Sequence, residues 1–196
     1  MCRWSVGICR PIFVGDFLMT YKAELMCTAD VNRALKRISH EILERNGGCD
    51  NIYIIGVMRR GVPLAERIAE NIAQIEGKAV SVGSVDVTPH RDDLNQKQKK
   101  PVITFSKIDE DITNKKVILV DDVLYTGRTA RAALEAILEF GRPKSVQLAV
   151  LVDRGHRELP IRGDYVGKNI PTSRSERISV TVPPFEEELS VKLYTE

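Results

Sequence analysis

Four apolar residues in a row, Val117, Ile118, Leu119 and Val120, stop at two adjacent acids, Asp121 and Asp122. An unbroken apolar run of this kind predicts a strand buried on both faces of a parallel sheet, and it sets the acids at the strand's carboxyl edge, where ligands of open α/β sheets bind. Val123 and Leu124 lead into Tyr125-Thr126-Gly127-Arg128-Thr129, and a helix is expected from near Thr129 to Phe140, ended by Gly141. The same pattern occurs earlier, where residues 51 to 57 (NIYIIGV) read as a central strand, Met58 to Gly61 as a turn and Val62 to about Glu76 as a helix. Ser145 to Val152 supply a third buried strand.

The remaining patterns frame these units. Residues 29 to 45 are amphipathic, with Asp30 as N-cap and Asn46-Gly47 as stop. Leu35, Ile38 and Ile42 share one side, while Arg33, Lys36, Arg37 and His40 cluster on a solvent side. Val80 to Val87 alternate and predict a strand paired with whatever follows the next loop. Residues 89 to 115 are polar and lack periodicity over much of their length, which fits either a functional lid or an ordinary surface hairpin. Arg177 to Val182 and Leu189 to Tyr194 read as two edge strands around the Pro183-Pro184 break. The fold class is α/β, a central mostly parallel twisted sheet flanked by helices.

Composition narrows the picture only a little. The 196 residues suffice for one domain, with 43% apolar and 29% charged positions, as in ordinary globular chains. A net charge of +2 does not by itself imply nucleic acid, so a basic partner surface needs local segregation of charge. Cys2, Cys9, Cys27 and Cys49 show no CxxC spacing, which argues against zinc and a disulfide framework and fits a reducing cytoplasm. Residues 1 to 18 contain no run long enough to span a membrane, and Asp16 with the early Arg and Pro residues spoils a secretory signal.

The chemistry gathers at the strand ends. Adjacent carboxylates suit two ribose hydroxyls or a magnesium shell. Gly127 lets the backbone approach an anion, Thr126 and Thr129 add hydroxyls, and a helix N-terminus offers N–H groups, so a monophosphate fits. The bland alternative is a capped buried strand with no ligand, but the whole pattern is rarer than an acid pair alone. No GxxxxGK[ST] run exists, so this is not a nucleoside-triphosphate P-loop. Arg59-Arg60-Gly61 form a cationic turn at another helix start, suited to diphosphate. Asp153 and Arg154 fall at a third strand end, with Arg154 the ligand candidate; His156 carries no catalytic role in this reading. Arg142, Lys144, Arg157, Arg162, Lys168 and Arg174 could extend a basic surface. No Ser-His-Asp or Cys-His arrangement stands out.

The Val117 to Thr129 motif resembles the phosphoribosyl-pyrophosphate (PRPP) signature of type I phosphoribosyltransferases. The run from Lys116 to Glu176, with YKAELM near Tyr21, RRG at Arg60 and RDD at Arg91, is similar to the bifunctional pyrimidine operon attenuator and uracil phosphoribosyltransferase family over most of residues 20 to 196. The resemblance implies the type I phosphoribosyltransferase fold with a flexible loop and a small hood. It implies a transfer from PRPP to uracil giving UMP and diphosphate, assisted by Mg2+ held through diphosphate, ribose hydroxyls and water rather than by direct protein ligands. Arg59, Arg60 and Gly61, the turn held by a non-proline cis peptide, would take the diphosphate, with Arg91 carried in on the loop and Asp92 or Asp93 shaping it. Arg59 stands where the family usually has a Thr. Val152, Asp153, Arg154 and Ile178 to Val180 would line the uracil or nucleotide pocket. Pyrimidine operon leader mRNA would bind a basic surface of Arg33, Lys36, Arg37, His40, Arg45, Arg142, Arg157, Arg162 and Lys168, with UMP or UTP as signal. The resemblance further implies a homodimer or larger homo-oligomer and no membrane partner. Because the family-like text begins at about Met19, residues 1 to 18 read as an extension expected to be disordered, and 19 to 196 as one domain. Two alternatives stay open: a plain nucleobase phosphoribosyltransferase, and an RNA-binding regulator with a vestigial transferase site.

Overall fold

The computed structural model describes residues 12–14, 17–87 and 106–195. The elements are β1 (Ile12–Val14), β2 (Phe17–Met26), α1 (Thr28–Asn46), β3 (Ile52–Val57), α2 (Gly61–Glu76), β4 (Ser81–Val85), β5 (Lys116–Leu124), α3 (Arg128–Leu138), β6 (Ser145–Asp153), β7 (Tyr165–Asn169), β8 (Glu176–Thr181) and β9 (Ser190–Thr195). Five strands form a parallel sheet in the order β4-β3-β5-β6-β7, and four form an antiparallel sheet in the order β1-β2-β9-β8. The first is the central sheet and the second the hood.

The apolar runs explain the layering. Every residue of β3 is buried, as a strand covered on both faces requires. Ile118 and Val120 of β5 face a core shared with α1, α2 and the hood, while Val117 and Leu119 face one shared with α3. Leu35, Ile38 and Ile42 turn inward from α1, and Arg33, Lys36, Arg37 and His40 are exposed, as their spacing predicts.

Several boundaries differ from the sequence reading. The N-cap of α1 is Cys27, and Asp30 acts from the third helical position, its carboxylate accepting the Cys27 N–H at 3.1 Å. Gly47 closes the helix in the left-handed conformation. β5 does not stop at the acids but runs on to Leu124, because β6 continues beside it and pairs Asp121 with Val150 and Leu124 with Asp153. β4 pairs with β3, and its contact with the returning chain is one antiparallel bridge between Ser84 and Lys107. α3 ends at Leu138, before Gly141. β9 is not an edge strand: it lies between β2 and β8. Ile12–Val14, inside the stretch expected to be disordered, pairs with β2.

Candidate functional site

β3 and β5 are parallel neighbours in register, Gly56 opposite Val120, so the turns that follow them open at one edge of the sheet. The first turn is pressed against the second strand. A Cβ on Gly61 would sit 2.5 Å from the Val120 carbonyl oxygen, so the start of α2 tolerates no side chain there. The Met58–Arg59 peptide is cis. Gly127 at the start of α3 has φ 90°, a left-handed conformation natural to glycine. Two helix N-termini thereby face the same cleft.

Three recesses adjoin. The largest, about 440 Å³, is lined by Met58, Arg59, Arg60, Asp121, Asp122 and Thr129, with Phe185 and Glu186 arriving from the hood. A second, about 310 Å³, is formed by the turn from Tyr125 to Thr129 and shares Asp121, Val123 and Thr129 with the first. A third, about 170 Å³, lies under the hood between Ile178, Ser179, Val180, Arg177, Tyr194 and Met19, and shares Arg60 and Asp122 with the first.

The acids are held by the backbone that follows them. Asp121 accepts the Asp122 N–H at 2.9 Å, and Asp122 accepts the Val123 N–H at 2.8 Å. Burial pushes the Asp122 carboxyl above its ordinary pKa, against the Val123 N–H and the charge of Arg60, which favour the anion. Arg60 donates to Glu186 from Nη2 at 2.5 Å and from Nε at 3.2 Å. Glu186 is held below its ordinary pKa: partial burial works to raise it, but the Arg60 hydrogen bond, the Val182 N–H and the Arg60 charge outweigh that.

Behind the second turn lies a support. Arg154 stacks on Tyr125, its guanidinium carbon 4.1 Å from the ring centre, and donates to Thr172 Oγ1 at 3.1 Å and the Glu176 carbonyl at 2.7 Å. Burial lowers its pKa. The Thr126 carbonyl accepts the N–H groups of Glu158 and Leu159. Arg154 therefore ties the signature turn to the start of β8 and does not line the recesses. Val152 is core, and Asp153 pairs with Arg157 and accepts the Gly155 N–H at 3.0 Å. Of the residues expected at a base pocket, Ile178 with Ser179 and Val180 reaches a recess.

The expected RNA residues divide. Arg33, Lys36, Arg37 and His40 share the exposed face of α1, and Arg45 and Lys168 flank it. Most are partly engaged: Arg33 with Asp30, Arg37 with Glu41 and the Val166 and Gly167 carbonyls, Arg45 with Asp164, and Lys168 with the Leu25 carbonyl. Arg157 and Arg162 belong to the β6–β7 crossover, whose Ile161 packs on the opposite, α3 side. Arg142 lies in the loop before β6, where its carbonyl accepts the Asn114 N–H. Arg91, Asp92 and Asp93 lie outside the described residues. Sequence reasoning missed Phe185, Glu186, Arg177 and Tyr194 in the cleft. The Pro183-Pro184 break marked the approach of the first two, but no spacing marked their destination.

Among the described residues no group of three or more His, Cys, Asp or Glu could hold a metal ion, and no helix is long and apolar enough to cross a membrane. The fold and cleft define the phosphoribosyl transferase domain, whose family model matches residues 26–184. Solved structures of similar fold include a hypoxanthine phosphoribosyltransferase of Trypanosoma cruzi (TM-score 0.68, 16% identity, 89% of this chain and 97% of that one). A hypoxanthine-guanine phosphoribosyltransferase of Bacillus anthracis is comparable (TM-score 0.66, 19% identity, 91% and 99%). Within this class the chain belongs to the family of proteins named bifunctional protein PyrR. It is 57% identical over 176 residues to that of Clostridium acetobutylicum, covering 90% of this chain and 99% of that protein. It is 60% identical over 162 residues to that of Acetivibrio thermocellus, covering 83% and 88%.

Proposed function

We propose that the chain transfers the phosphoribosyl group of PRPP to uracil, releasing diphosphate and UMP, and binds pyrimidine operon leader mRNA to attenuate transcription when uridine nucleotides are abundant. The observation that carries the enzymatic part is the sharing of Arg60 and Asp122 between the large recess and the hood recess. A leaving diphosphate beside Arg59 and Arg60 and a planar base beside Ile178 and Val180 would then approach one ribose from two sides. The Tyr125 to Thr129 turn would anchor the 5′-phosphate, and Asp121 and Asp122 would hold the ribose hydroxyls.

Positive charge grows at the anomeric carbon as diphosphate departs, so the carboxylates and the cationic turn stabilise separated charges across a few ångströms. The donor set fits magnesium held through ligand oxygens and water, because two adjacent carboxylates face the large recess. Bound magnesium would supply charge neutralisation of the diphosphate. For RNA, the supporting observation is the exposed cationic face of α1. Reduced cysteines at Cys27 and Cys49 accord with a cytoplasmic setting.

Transfer of labelled uracil, hypoxanthine, guanine and orotate from PRPP tests the first part; UMP formation is expected, and transfer to a purine alone would overturn it. A gel shift with leader RNA at stated salt, with and without UMP, tests the second. Arg37→Ala with His40→Ala should weaken binding, and unchanged affinity would move the RNA face elsewhere.

A further inference from the structure

Cations on α1 can hold any RNA by its phosphates, but they carry no sequence information. A groove between α1 and α2 has the chemistry to supply it. It encloses about 260 Å³, with Leu35 as its apolar floor, Asn32 and Lys36 on the α1 wall, and Arg67, Glu70 and Asn71 on the α2 wall. The spacings 32, 35, 36 and 67, 70, 71 put each set on one stripe of its helix. Arg67 reaches across to the Asn32 side-chain oxygen at 3.4 Å, a long contact that a better acceptor would replace. The groove is continuous with the exposed α1 face through Arg33 and Lys36.

Its volume falls below the roughly 300–1,000 Å³ of sites that enclose a drug-sized ligand, and suits a single flat nucleobase. Its charge is mixed, since Glu70 stands among the cations, and a carboxylate repels a bare phosphate. A donor-only guanidinium and an acceptor-only carboxylate one helical turn apart match a base that shows acceptors and donors on neighbouring edges. Guanine does so: O6 and N7 accept, and N1–H with the 2-amino group donates. Adenine sets single ring-nitrogen acceptors beside its amino group and uracil has one N–H between two carbonyls, so neither offers a pair of acceptors next to a pair of donors. Sequence-specific RNA recognition targets unstacked bases in loops, whose edges are open to such contacts.

We propose that the α1–α2 groove receives one unstacked guanine of a bound RNA, with Arg67 donating to its O6 and N7 and Glu70 accepting from its N1–H and 2-amino group. Asn32 and Asn71 complete the edge, and Lys36 at the rim takes a flanking phosphate. This rests on the RNA reading above.

The test is fluorescence anisotropy of labelled octauridylate probes with uridine, adenosine, inosine or guanosine at one central position. Low salt and saturating UMP keep the transferase recess filled. Wild type should bind the guanosine probe about tenfold more tightly than the adenosine probe, with inosine between them because it lacks the 2-amino group. Glu70→Gln should bring the four probes within about twofold of one another while leaving uridine-probe affinity and uracil transfer unchanged. Lys36→Ala should weaken all four alike. Equal binding of the four probes by wild type, or a guanosine preference that survives in Glu70→Gln, would overturn the groove assignment alone. No binding of any probe by wild type that still shifts leader RNA would overturn the groove assignment alone, and failure to shift leader RNA as well would remove the RNA reading and this inference together.

Discussion

The β3–turn–α2 and β5–turn–α3 units are built from the same parts: a buried parallel strand, a tight turn and a helix that starts at the cleft. They differ in the side chains at the strand ends. The first presents Arg59 and Arg60, with Arg60 resting on Glu186; the second presents Asp121, Asp122 and the hydroxyls of Thr126 and Thr129. In the proposed reading one backbone device would serve two phosphate groups of one substrate, with side-chain charge setting which end each unit takes.

The largest effect is expected at the acidic unit. Asp121→Asn with Asp122→Asn should lower kcat/KM for uracil transfer about 10²- to 10³-fold, the scale of losing a preorganised charge-stabilising group. Steady-state kinetics checks this. Arg60→Ala should raise KM for PRPP by about tenfold or more with a smaller change in KM for uracil, since a charge-assisted contact to diphosphate is lost.

Gly61→Ala attacks the seam between the units. Its Cβ would meet the Val120 carbonyl at 2.5 Å, and because that obstacle is backbone, the chain must shift. A loss of about 1–3 kcal/mol in urea unfolding is expected.

The smallest effects are in pH dependence, and they have opposite signs. Folded Asp122 holds its proton above the ordinary 3.8, so the native state binds more protons there and stability falls as pH rises from 3.8 through the folded pKa. Asp122→Asn should therefore be more stable than wild type at pH 7 while transferring poorly. Glu186 is depressed below 4.5, so its contribution is present above 4.5 and lost as pH falls through its folded pKa. Glu186→Gln should remove that acid-side loss and little else, because the pair with Arg60 is partly exposed. Unfolding midpoints across pH 3 to 8 separate the two.

The two units were legible because their signals are local. Val117 to Thr129 and Ile52 to Gly61 each contain strand, turn and ligand chemistry within about a dozen residues, and their apolar runs are long enough to identify buried parallel strands. The hood was legible only in part: Arg177 to Val182 and Leu189 to Tyr194 read as strands, but their pairing did not. It joins β2 to β9 from opposite ends of the chain, and no local pattern announces that Tyr21 faces Tyr194. β7 escaped because Gly167, Lys168 and Asn169 give an edge strand little apolar content. Glu186 was missed for a related reason: its partner Arg60 is 126 residues away. Arg154 was recognised as important but expected at the ligand; its burial and its bonds to Thr172 and Glu176 place it behind the turn.

Product inhibition of uracil transfer tests the division of labour most directly, with diphosphate and ribose 5-phosphate as inhibitors of wild type, Arg60→Ala and Thr126→Ala/Thr129→Ala. A crossover is expected: Arg60→Ala loses inhibition by diphosphate and keeps that by ribose 5-phosphate, and the threonine variant does the reverse. If both variants lose both inhibitors alike, the two turns do not hold separate phosphates.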